Sequence, residues 1–577
     1  MNGSEITIDA LKKEGVDILF GYPGGVVIPI FDALFKENEL NVILNRHEQA
    51  AVHAADGYAR STGKVGVALV TSGPGSTNAI TGIATAKLDS VPIVIISGQV
   101  KNDFIGTDGF QEVDMSGITR SISKHNYLVS KIEDLPRIIK EAFYIAKTGR
   151  PGPVSIDIPV DVFSAVLKNY SYPKEVKLPG YKPTIEGNPK QIKKLAQAIQ
   201  YAEKPLFYTG GGIIAANAEK ELLDIVEKTN IPFVTTLMGL GTSSNDHPLY
   251  LGMPGMHGRY AANHAMMQCD LMIAVGARFD DRVTGDISRF APNAKIAHVD
   301  IDPAEIGKNV KTDIPVVGDA KHVLTALNDL LKPRKANGWC VAVTSWKKET
   351  PLKYSQKEDE ETAPQYVIER ISELTDDNAI IVTDVGQHQM FSALYYKHKL
   401  PRCFLSSGGL GTMGFGLPAA MGAALAYPKR QVIAICGDGG FQMNIQELAT
   451  CALNGITVKA VILNNQFLGM VRQWQEMFWN KNYSKVCLKQ TPDCPPQCKG
   501  PNAKCPNKYL PDFVKVAEAN GVKGLRAETV NEVDKVLKEG LAHDGPVIME
   551  FMVRKEENVY PMVPGGKAID EIIMGED

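Results

Sequence analysis

Two turns in the last third of the chain each follow a short apolar run. Gly437-Asp438-Gly439 follows the run from Gln431 to Cys436, and Asn464-Asn465, 24 residues further on, follows the run from Ile456 to Leu463. Apolar runs of this length predict buried strands, and glycine lets the backbone turn sharply and approach a ligand closely. Because open α/β sheets bind ligands at the carboxyl ends of their strands, both turns are predicted to lie at the binding edge of a parallel sheet.

The side chains of these turns offer oxygen donors only. A carboxylate from Asp438 and an amide oxygen from Asn465 suit Mg²⁺ shared with a diphosphate, because Mg²⁺ takes few protein carboxylates and completes its octahedron with phosphate and water. The alternative is two ordinary turns, where Gly, Asp and Asn are common. The GDG triplet followed at this spacing by paired asparagines resembles the signature of thiamine diphosphate (ThDP) enzymes.

Composition is that of a soluble globular chain. Its 577 residues are too many for one core and predict roughly two to four domains. The hydrophobic fraction of 44% and charged fraction of 22% are ordinary, and the net charge of −3 gives no reason to expect nucleic acid or an anionic membrane. The sequence contains neither a long apolar stretch nor a signal-peptide core, so a cytoplasmic location is expected.

Two connecting segments divide the chain into three parts. The segments 166–190 and 333–364 predict domains over 1–165, 190–335 and 362–577. Each part alternates apolar runs with helical patterns, which predicts α/β domains with mainly parallel sheets flanked by helices. The first and third parts both place an Ala-rich helix before a strand and a glycine turn. They are therefore interpreted as related domains, with convergence on a common unit as the alternative.

Glu48 has two interpretations. With Asn45 three residues before it, it completes a capping box at the start of the Ala-rich helix. It also shares a helix face with Val52 and Ala55. A glutamate in an apolar pocket has a raised pKa and can hold a proton near neutral pH, which is what the aminopyrimidine of ThDP requires.

The middle part contains glycines and acids after predicted strands. Gly210-Gly211-Gly212 follows one strand, Gly276 to Arg282 follows another, and Asp300 and Asp302 follow a third. Glycines suit a pyrophosphate and strand-end acids suit ribose hydroxyls. The usual GxGxxG fingerprint is missing, so a nucleotide site and plain loops both remain open.

Longer segments resemble one family, the catalytic (large) subunits of acetohydroxyacid synthase, also called acetolactate synthase. The resemblance covers nearly the whole chain, and its segments are 21–25, 106–112, 119–129, 276–285, 463–474 and 560–564. The run from Arg278 to Arg282 resembles the FAD-binding biosynthetic branch. The implied fold has two related cofactor domains, an N-terminal pyrimidine-binding domain and a C-terminal diphosphate and Mg²⁺ domain, around a Rossmann-like FAD domain.

The resemblance implies a role for each matching residue. Glu48 would be the activating acid, Gln111 would reach the reacting centre, and Lys124 would line the substrate entrance. Arg282 would hold a 2-oxoacid carboxylate, where a planar fork suits the task better than lysine. Trp474 would favour a larger second substrate, and Gly25 is grouped with these catalytic residues.

The resemblance also gives the cofactor ligands. Mg²⁺ would be held by Asp438, Asn465 and the main-chain carbonyl of Phe467. The other ThDP residues would be Val385, Gly386, Gln387, His388, Gly411, Met413, Gly439, Gly440, Gly469 and Met470. The FAD residues would be Arg150, Gly210, Gly211, Gly212, Thr236, Leu237, Met256, His257, Gly258, Gly276, Arg278, Asp280, Asp300, Ile301, Asp302, Glu305, Gly318 and Asp319.

The implied reaction decarboxylates pyruvate and joins the two-carbon unit to pyruvate or 2-oxobutyrate, the first common step of valine, leucine and isoleucine biosynthesis. The implied assembly is a homodimer or dimer of dimers, and a small regulatory subunit is a further partner. Another ThDP enzyme, such as a pyruvate oxidase or 2-oxoacid decarboxylase, is the alternative. A regulatory protein on a decayed scaffold would require a broken catalytic set, whereas Glu48, Asp438 and Asn465 are intact.

Four cysteines depart from the family pattern. Cys487, Cys494, Cys498 and Cys505 lie in a Pro- and Lys-rich insert over 485–510 with the spacing C-x6-C-x3-C-x6-C. Four thiolates suit Zn²⁺ or an iron–sulfur cluster. Two disulfides, which a reducing cytosol disfavours, and a solvated loop with free thiols are the alternatives.

Overall fold

The computed structural model describes residues 1–501, 505 and 509–575. The described chain forms three parallel sheets of six, five and six strands, which confirms the predicted α/β class. No helix in the described part of the chain combines the length and the apolar character that crossing a bilayer requires.

The N-terminal sheet has the strand order β2-β1-β3-β4-β6-β5. Its strands are β1 (Ile18–Gly21), β2 (Asn41–Leu44), β3 (Gly66–Val70), β4 (Ile93–Gln99), β5 (His125–Leu128) and β6 (Val154–Pro159). Its helices are α1 (Gly3–Lys13), α2 (Ile28–Phe35), α3 (Glu48–Thr62), α4 (Pro74–Asn78), α5 (Ile80–Asp89), α6 (Met115–Thr119), α7 (Leu135–Lys147) and α8 (Val160–Ser164). Strands β3, β4 and β6 are buried on both faces, which explains their continuous apolar runs.

The central sheet has the order β11-β10-β9-β7-β8. Its strands are β7 (Pro205–Thr209), β8 (Phe233–Thr235), β9 (Leu271–Val275), β10 (Lys295–Asp300) and β11 (Ile314–Val317). The helices of this region are α9 (Pro189–Tyr201), α10 (Gly211–Ala215), α11 (Glu219–Thr229), α12 (Tyr260–Gln268), α13 (Asp281–Thr284), α14 (Ala320–Leu330), α15 (Gly338–Glu349) and α16 (Pro364–Leu374).

Helix α15 lies inside the segment 333–364, which composition marked as a connection. The side chain of Asn337 caps it by accepting a hydrogen bond from the amide of Cys340 at 3.1 Å. The helix buries Trp339, Cys340 and Val343, and the Trp339 indole donates to the carbonyl of Pro205 at 3.0 Å. Composition did not predict this helix because only three of its side chains are buried and the surrounding stretch is polar.

The C-terminal sheet has the order β13-β12-β14-β15-β17-β16. Its strands are β12 (Ile380–Thr383), β13 (Phe404–Leu405), β14 (Val432–Gly437), β15 (Lys459–Asn464), β16 (Lys523–Ala527) and β17 (Val547–Met552). The helices are α17 (Gln387–Tyr395), α18 (Gly416–Ala426), α19 (Asp438–Phe441), α20 (Glu447–Asn454), α21 (Gly469–Phe478), α22 (Phe513–Ala519) and α23 (Val530–Leu541). Short 3₁₀ turns lie at Gly25–Val27, Asn102–Phe104, Ile132–Asp134, Leu237–Gly239, Ile287–Arg289 and Gln442–Asn444.

The chain divides into two compact units. The first unit comprises residues 1–182, 379–386 and 405–552, and so contains the N-terminal sheet and most of the C-terminal sheet. The second unit comprises residues 183–378 and 387–404 and the chain from 553 onward, around the central sheet. The segments 387–404 and 553–575, which the sequence placed with the third part, therefore cluster with the central sheet.

The two sheets of the first unit repeat one topology. Numbered from its own first strand, each sheet has the order 2-1-3-4-6-5, so β3 corresponds to β14 and helix α3 corresponds to α18. These two helices cross at reciprocal glycines: a Cβ on Gly57 would lie 2.0 Å from the carbonyl oxygen of Ala419, and one on Gly422 would lie 1.9 Å from that of Ala54. Side chains from both sheets join one hydrophobic core.

Candidate active site

The predicted Mg²⁺ turns lie beside each other at one sheet edge. Strands β14 and β15 pair in parallel with Gly437 opposite Leu463, so Asp438 and the asparagine pair follow neighbouring strand ends. Asp438 begins α19 and is buried. Burial raises the pKa of the Asp438 carboxyl to about 7, against hydrogen bonds from the amides of Gly439 and Gln466.

The two asparagines do different work. Asn464 donates from its amide nitrogen to Glu550 at 2.7 Å and accepts from the amide of Gln466 at 3.1 Å. Asn465 accepts from the amide of Phe467 at 3.0 Å, which shapes the turn. The sequence did not single out Glu550, and its partner Arg526 donates to it from Nε at 2.8 Å. This buried pair anchors the first asparagine of the motif.

The residues around Asp438 fit a divalent cation. No described side chain forms an ion pair with its buried carboxyl, although a buried carboxylate is costly without a positive partner. The oxygens of Asp438 and Asn465 belong to the donor class that Mg²⁺ prefers. Gly469 and Met470 begin α21 directly after this turn.

A second buried acid, Asp384, organises the loop that carries Gly411 and Met413. Its carboxylate accepts from the amides of Gly414 at 3.0 Å, Gly416 at 2.9 Å and Val385 at 2.8 Å. A Cβ on Gly440 would lie 2.4 Å from its Oδ1. Burial raises the pKa of Asp384. Sequence reasoning missed this residue, although its place directly after β12 repeats the strand-end position of Asp438 after β14.

The predicted ThDP residues of the first unit gather around this loop. The Val385 side chain is the nearest neighbour of a Cβ built on Gly411, at 3.9 Å, and the Met413 Cε lies 3.8 Å from one built on Gly439. Gly386 follows Val385 with φ +148°. Gln387 and His388, both buried, open α17 in the second unit.

Glu48 is the first residue of α3, and it does not cap the helix. The N-cap is His47, whose Nδ1 accepts from the amide of Gln49 at 3.1 Å. The capping-box interpretation is therefore wrong, because the Asn45 side chain instead donates to Glu447 at 3.1 Å. Glu48 is buried and accepts from the side chain of Asn78 at 2.9 Å.

The surroundings of Glu48 contain unsatisfied polar atoms. The hydroxyls of Thr71 and Ser72 are buried and find no hydrogen-bond partner among the described residues. A Cβ on Gly75 would lie 3.2 Å from Glu48 Oε1, and one on Gly24 would lie 2.5 Å from Thr71 Cβ. Gly25, beside Gly24, is exposed. An acid with nearby orphaned hydroxyls fits a polar ring such as an aminopyrimidine, because buried polar groups require partners.

The other predicted catalytic residues have separate settings. Gln111 has φ +59° and lies against Gly73. The Lys124 ammonium donates to the carbonyl of Thr148 at 2.6 Å and to the Tyr181 hydroxyl at 2.9 Å. The Trp474 ring contacts that of Phe478 in a tilted arrangement, at 54° and 5.3 Å between ring centroids, in α21 of the first unit. Arg282 is largely exposed on α13 of the second unit, with its Nε 3.8 Å from Asp281.

Three of the predicted FAD glycines, Gly210, Gly212 and Gly276, lie together at the switch point of the central sheet. Read from β8, its order is 2-1-3-4-5, and such sheets bind ligands where the order reverses, here between β7 and β9. Gly210 follows β7, and Gly212 donates to the carbonyl of Gly276, after β9, at 3.1 Å. The two backbones approach too closely there for a side chain, since a Cβ on Gly212 would lie 2.5 Å from the Cα of Gly276.

Acids follow the next strand of that sheet. Asp300 ends β10 and accepts from the amide of Asp302 at 2.9 Å, and Ile301 lies between them. Asp319 caps α14 by accepting from the amide of Lys321, and Gly318 donates to the carbonyl of Asp300. The remaining predicted FAD residues of the second unit are Gly211, Thr236, Leu237, Met256, His257, Gly258, Arg278, Asp280 and Glu305. Arg150 lies in the first unit and donates to Ser90 at 2.8 Å.

Described residues of the cysteine insert contact the turn that carries Gln466 and Phe467. Cys487 pairs with Phe467 in an antiparallel bridge, and Leu488 donates to the carbonyl of Gln466 at 2.9 Å. A Cβ on Gly500, which has φ +116°, would lie 2.2 Å from the ring of Phe467. The amide of Thr491 donates to Cys494 at 3.3 Å and lowers the pKa of that thiol.

The chemistry of the four cysteines stays a prediction. In residues 1–501, 505 and 509–575, no three His, Cys, Asp or Glu side chains are arranged to hold a metal. Cys487, Cys494 and Cys498 form no disulfide. Six residues of the insert, 502–504 and 506–508, lie outside the described residues.

Three domains of one enzyme family match the chain, one in the region of each sheet. The N-terminal TPP (thiamine pyrophosphate, another name for ThDP) binding domain of thiamine pyrophosphate enzymes matches residues 1–118, their central domain matches 192–327, and their C-terminal TPP binding domain matches 384–551.

Full-length relatives agree with these matches. The chain is 48% identical over 579 residues to an acetolactate synthase of Mycobacterium bovis, covering 99% of this chain and 91% of that one. It is 45% identical over 584 residues to the acetolactate synthase large subunit of Haemophilus influenzae, covering 100% and 98%. It is 47% identical to a probable large subunit of Methanocaldococcus jannaschii, covering 99% and 95%. The chain therefore belongs to the acetolactate synthase large-subunit family of thiamine pyrophosphate enzymes.

Proposed function

We propose that this chain joins two 2-oxoacids: pyruvate loses carbon dioxide, and its two-carbon unit is transferred to a second pyruvate or to 2-oxobutyrate. The products are acetolactate and acetohydroxybutyrate, and the reaction opens the biosynthesis of branched-chain amino acids. The observation that supports this best is the pair of buried acids, Glu48 and Asp438, on two sheets of one topology. Glu48 accepts a hydrogen bond from the side-chain amide of Asn78. Asp438 and Asn465 lie at the ends of two neighbouring strands.

Each residue has a task in this proposal. Asp438, Asn465 and the carbonyl of Phe467 hold Mg²⁺, which fixes a diphosphate. ThDP, when bound, supplies the electron sink on which a 2-oxoacid is decarboxylated. Glu48 holds a proton against the aminopyrimidine, and Asn78 orients Glu48 by the hydrogen bond at 2.9 Å. Arg282 binds the carboxylate of the second 2-oxoacid with its fork of N–H donors, and Trp474 contacts the alkyl group of that substrate.

The remaining ThDP residues are proposed from the family motif. Gly411 and Met413 support the cofactor rings in their bent shape, and Val385, Gly386, Gln387 and His388 approach its diphosphate. Gly439, Gly440, Gly469 and Met470 belong to the same cofactor site. Gln111, Lys124 and Gly25 belong to the face where substrate arrives. FAD is proposed at the switch point of the central sheet, without a net redox role, where the glycines after β7 and β9 admit a pyrophosphate.

The assembly is proposed to be a homodimer or a dimer of dimers. In such an assembly, the domain that contains Glu48 faces the domain of a second chain that contains Asp438. Relatives from Haemophilus and Methanocaldococcus are named as large subunits, so a smaller regulatory subunit is a further proposed partner. Sedimentation that shows a fully active monomer would contradict the shared site.

The test is to identify products from purified chain, pyruvate, ThDP, Mg²⁺ and FAD, with and without 2-oxobutyrate. Acetolactate, joined by acetohydroxybutyrate when 2-oxobutyrate is present, is the expected result. Acetate with peroxide would indicate an oxidase, and free acetaldehyde would indicate a decarboxylase.

A matched pair of variants tests the role of Arg282. Arg282→Lys keeps the charge but loses the bidentate fork, so carboligation is expected to fall about 10- to 100-fold. Arg289→Lys, an exposed arginine of the same unit paired with Glu571 at 2.8 Å, is the control and should retain activity. Equal rates for the two variants would remove Arg282 from the substrate site.

A further inference from the structure

A buried ionic cluster joins the two halves of the first unit. Arg60, in the last turn of α3, bridges Asp56 of the same helix and Asp89 at the end of α5. The side chain of Arg60 is 7% exposed and those of both acids are 0% exposed. The Arg60 guanidinium also donates to the carbonyl of Ser406 at 2.9 Å and lies over the ring of Phe415. The cluster therefore reaches from two N-terminal helices to the segment that follows β13.

Asp89 binds that segment directly. Its two carboxylate oxygens accept from successive amides, Gly408 at 3.1 Å and Gly409 at 2.7 Å. A Cβ on Gly409 would lie 2.9 Å from Asp89 Oδ1. The turn itself is exposed while the acid that holds it is buried. A charged acceptor that takes two N–H groups at once fixes a turn more tightly than a neutral acceptor does.

A second contact fixes the same segment three residues later. The Thr85 hydroxyl on α5 hydrogen-bonds the Thr412 hydroxyl at 2.7 Å, and the amide of Thr412 donates to Ser407 at 3.0 Å. Gly411 and Met413 flank Thr412, and they are the residues placed under the cofactor rings in the proposed function. The N-terminal half of the chain thus holds the ring-supporting loop of the C-terminal half.

The charges explain why the turn belongs to the cluster. Two buried acids share one guanidinium, and burial raises the pKa of Asp56. The amides of Gly408 and Gly409 give Asp89 two further polar partners, and burial of an acid without such partners would be costly. Loss of the carboxylate would remove the acceptor that both amides share and one of the two acids that Arg60 contacts.

We infer that Asp89, held in place by Arg60, is a positioning residue for the cofactor. It fixes the Gly408-Gly409 turn and through it sets Gly411 and Met413 against the rings of ThDP. The diphosphate is held elsewhere, by Mg²⁺ on Asp438 and Asn465. This inference rests on the proposed function, because ThDP has to be the ligand of the loop.

Two ligands separate positioning from general damage. Asp89→Asn keeps the shape of the side chain but loses its charge and one acceptor oxygen. Titration calorimetry with Mg²⁺ present would measure the Kd of ThDP and the Kd of inorganic pyrophosphate, which has no rings. The Kd of ThDP is expected to rise about tenfold or more, and that of pyrophosphate is expected to stay within about twofold. An unchanged Kd for ThDP, or equal weakening of both ligands, would overturn the inference.

A control variant measures what loss of a buried ion pair does by itself. Glu14 is 4% exposed and pairs with Lys140 at 2.7 Å in the N-terminal domain, away from the loop. Glu14→Gln is expected to lower Tm about as much as Asp89→Asn while leaving both affinities unchanged. A rise in the Kd of ThDP in this variant would show that the Asp89 effect is not specific, and would overturn the inference.

Hydrogen exchange tests the loop independently of the cofactor. In Asp89→Asn without ligand, the amides of Gly408 and Gly409 should exchange at least tenfold faster than in the wild type, because they lose their charged acceptor. Unchanged exchange would overturn the inference even if the chain bound ThDP. If the wild type failed to bind ThDP while this exchange still rose, the proposed function would fail and the structural link would stand.

Discussion

The two sheets of the first unit share one strand order but differ in what their carboxyl edges offer. After β14 and β15, the C-terminal edge presents Asp438 and the asparagine pair, which are oxygen donors for a cation. After β3, the N-terminal edge presents the hydroxyls of Thr71 and Ser72, and its acid, Glu48, comes from a helix instead. One scaffold thus presents a carboxylate and amide oxygens at one edge, and at the other edge hydroxyls near a helix-borne acid that is hydrogen-bonded to Asn78.

A similar contrast lies inside the sheets. The fourth residue of the last strand is a buried acid in both copies, Asp157 in β6 and Glu550 in β17. Glu550 pairs with Arg526 at 2.7 Å and holds Asn464. Asp157 accepts from the Ser116 hydroxyl at 3.0 Å, and its Oδ1 finds no partner among the described residues. The same position therefore pairs with an arginine in one sheet and with a serine hydroxyl in the other.

The test with the largest expected effect replaces each of the two acids by its neutral amide. Asp438→Asn should abolish binding of ThDP with Mg²⁺, because the proposed set of ligands for the cation would lose the carboxylate of Asp438. Glu48→Gln should bind ThDP within a few-fold of the wild type while the rate of acetolactate formation falls about 100- to 1,000-fold, the range of a lost acid–base group. Calorimetry and a product assay measure the two effects. Equal loss of ThDP binding in both variants would contradict the proposal that the acids at the two sheet edges have different roles.

The second test addresses the crossing of α3 and α18. Gly422→Val would drive a side chain into the backbone of Ala54, and overpacking of this kind costs about 3 kcal/mol or more when the backbone has to move. A drop in Tm of several degrees, or insoluble protein, is expected. Gly180→Ala, where a Cβ meets nothing within 4 Å, is the control and should leave Tm within about a degree. Similar Tm values for both variants would mean that the helices are not held together at this point.

The third test is a pH dependence that belongs to one sheet only. Burial raises the pKa of Asp157 from 3.8 to about 7. A carboxyl with a raised folded-state pKa contributes stability that is fully present below pH 3.8 and is lost as the pH rises through about 7. Asp157→Asn should therefore stabilise the protein more at pH 8 than at pH 5, by up to about 3 kcal/mol.

Melting curves of wild type and variant at both pH values measure this difference. Asp544→Asn, at an exposed aspartate, is the control and should show no such pH dependence. An equal gain from Asp157→Asn at pH 5 and pH 8 would show that Asp157 is ionised in the fold.

The smallest expected effect concerns the insert, which the N-terminal edge lacks. Gly500→Ala adds a methyl group against the ring of Phe467 at a positive φ. The turn before α21 should shift slightly, so the Mg²⁺ concentration for half-maximal activity should rise about two- to fivefold. Gly455→Ala, also at positive φ but in open space, is the control for backbone strain alone. Equal Mg²⁺ requirements in the two variants would show that the contact between Gly500 and Phe467 does not affect the proposed Mg²⁺ site.

Local patterns predicted the sheets and the position of the turns at Asp438 and Asn464-Asn465 at neighbouring strand ends, because each depends on consecutive residues. The run before Asp438 is apolar throughout, and the glycines around it mark the turn. The capping box at Glu48 was wrong because its outcome depends on Glu447, about 400 residues away, which takes the side chain of Asn45.

Long-range partners account for the other omissions. Asp89, Asp384 and Glu550 were not singled out, since a single acid has no local pattern that reveals which amides it will meet. Helix α15 was hidden in a polar stretch because its apolar face consists of few residues. The Gly-rich turns proposed to contact the cofactor are recognisable in the sequence, whereas the acids that hold those turns, Asp89 and Asp384, are not.

The reciprocal glycines of α3 and α18 have a consequence for synthesis of the chain. Gly57 and Gly422 are separated by about 360 residues, so α3 leaves the ribosome long before its partner exists. At about 5 to 20 residues per second, the wait is roughly 20 to 70 s. During that time the face of α3 that will meet α18 is lined by glycine and alanine, which offer little apolar area to a wrong partner. The small residues that permit the close crossing would therefore also limit aggregation of the nascent chain.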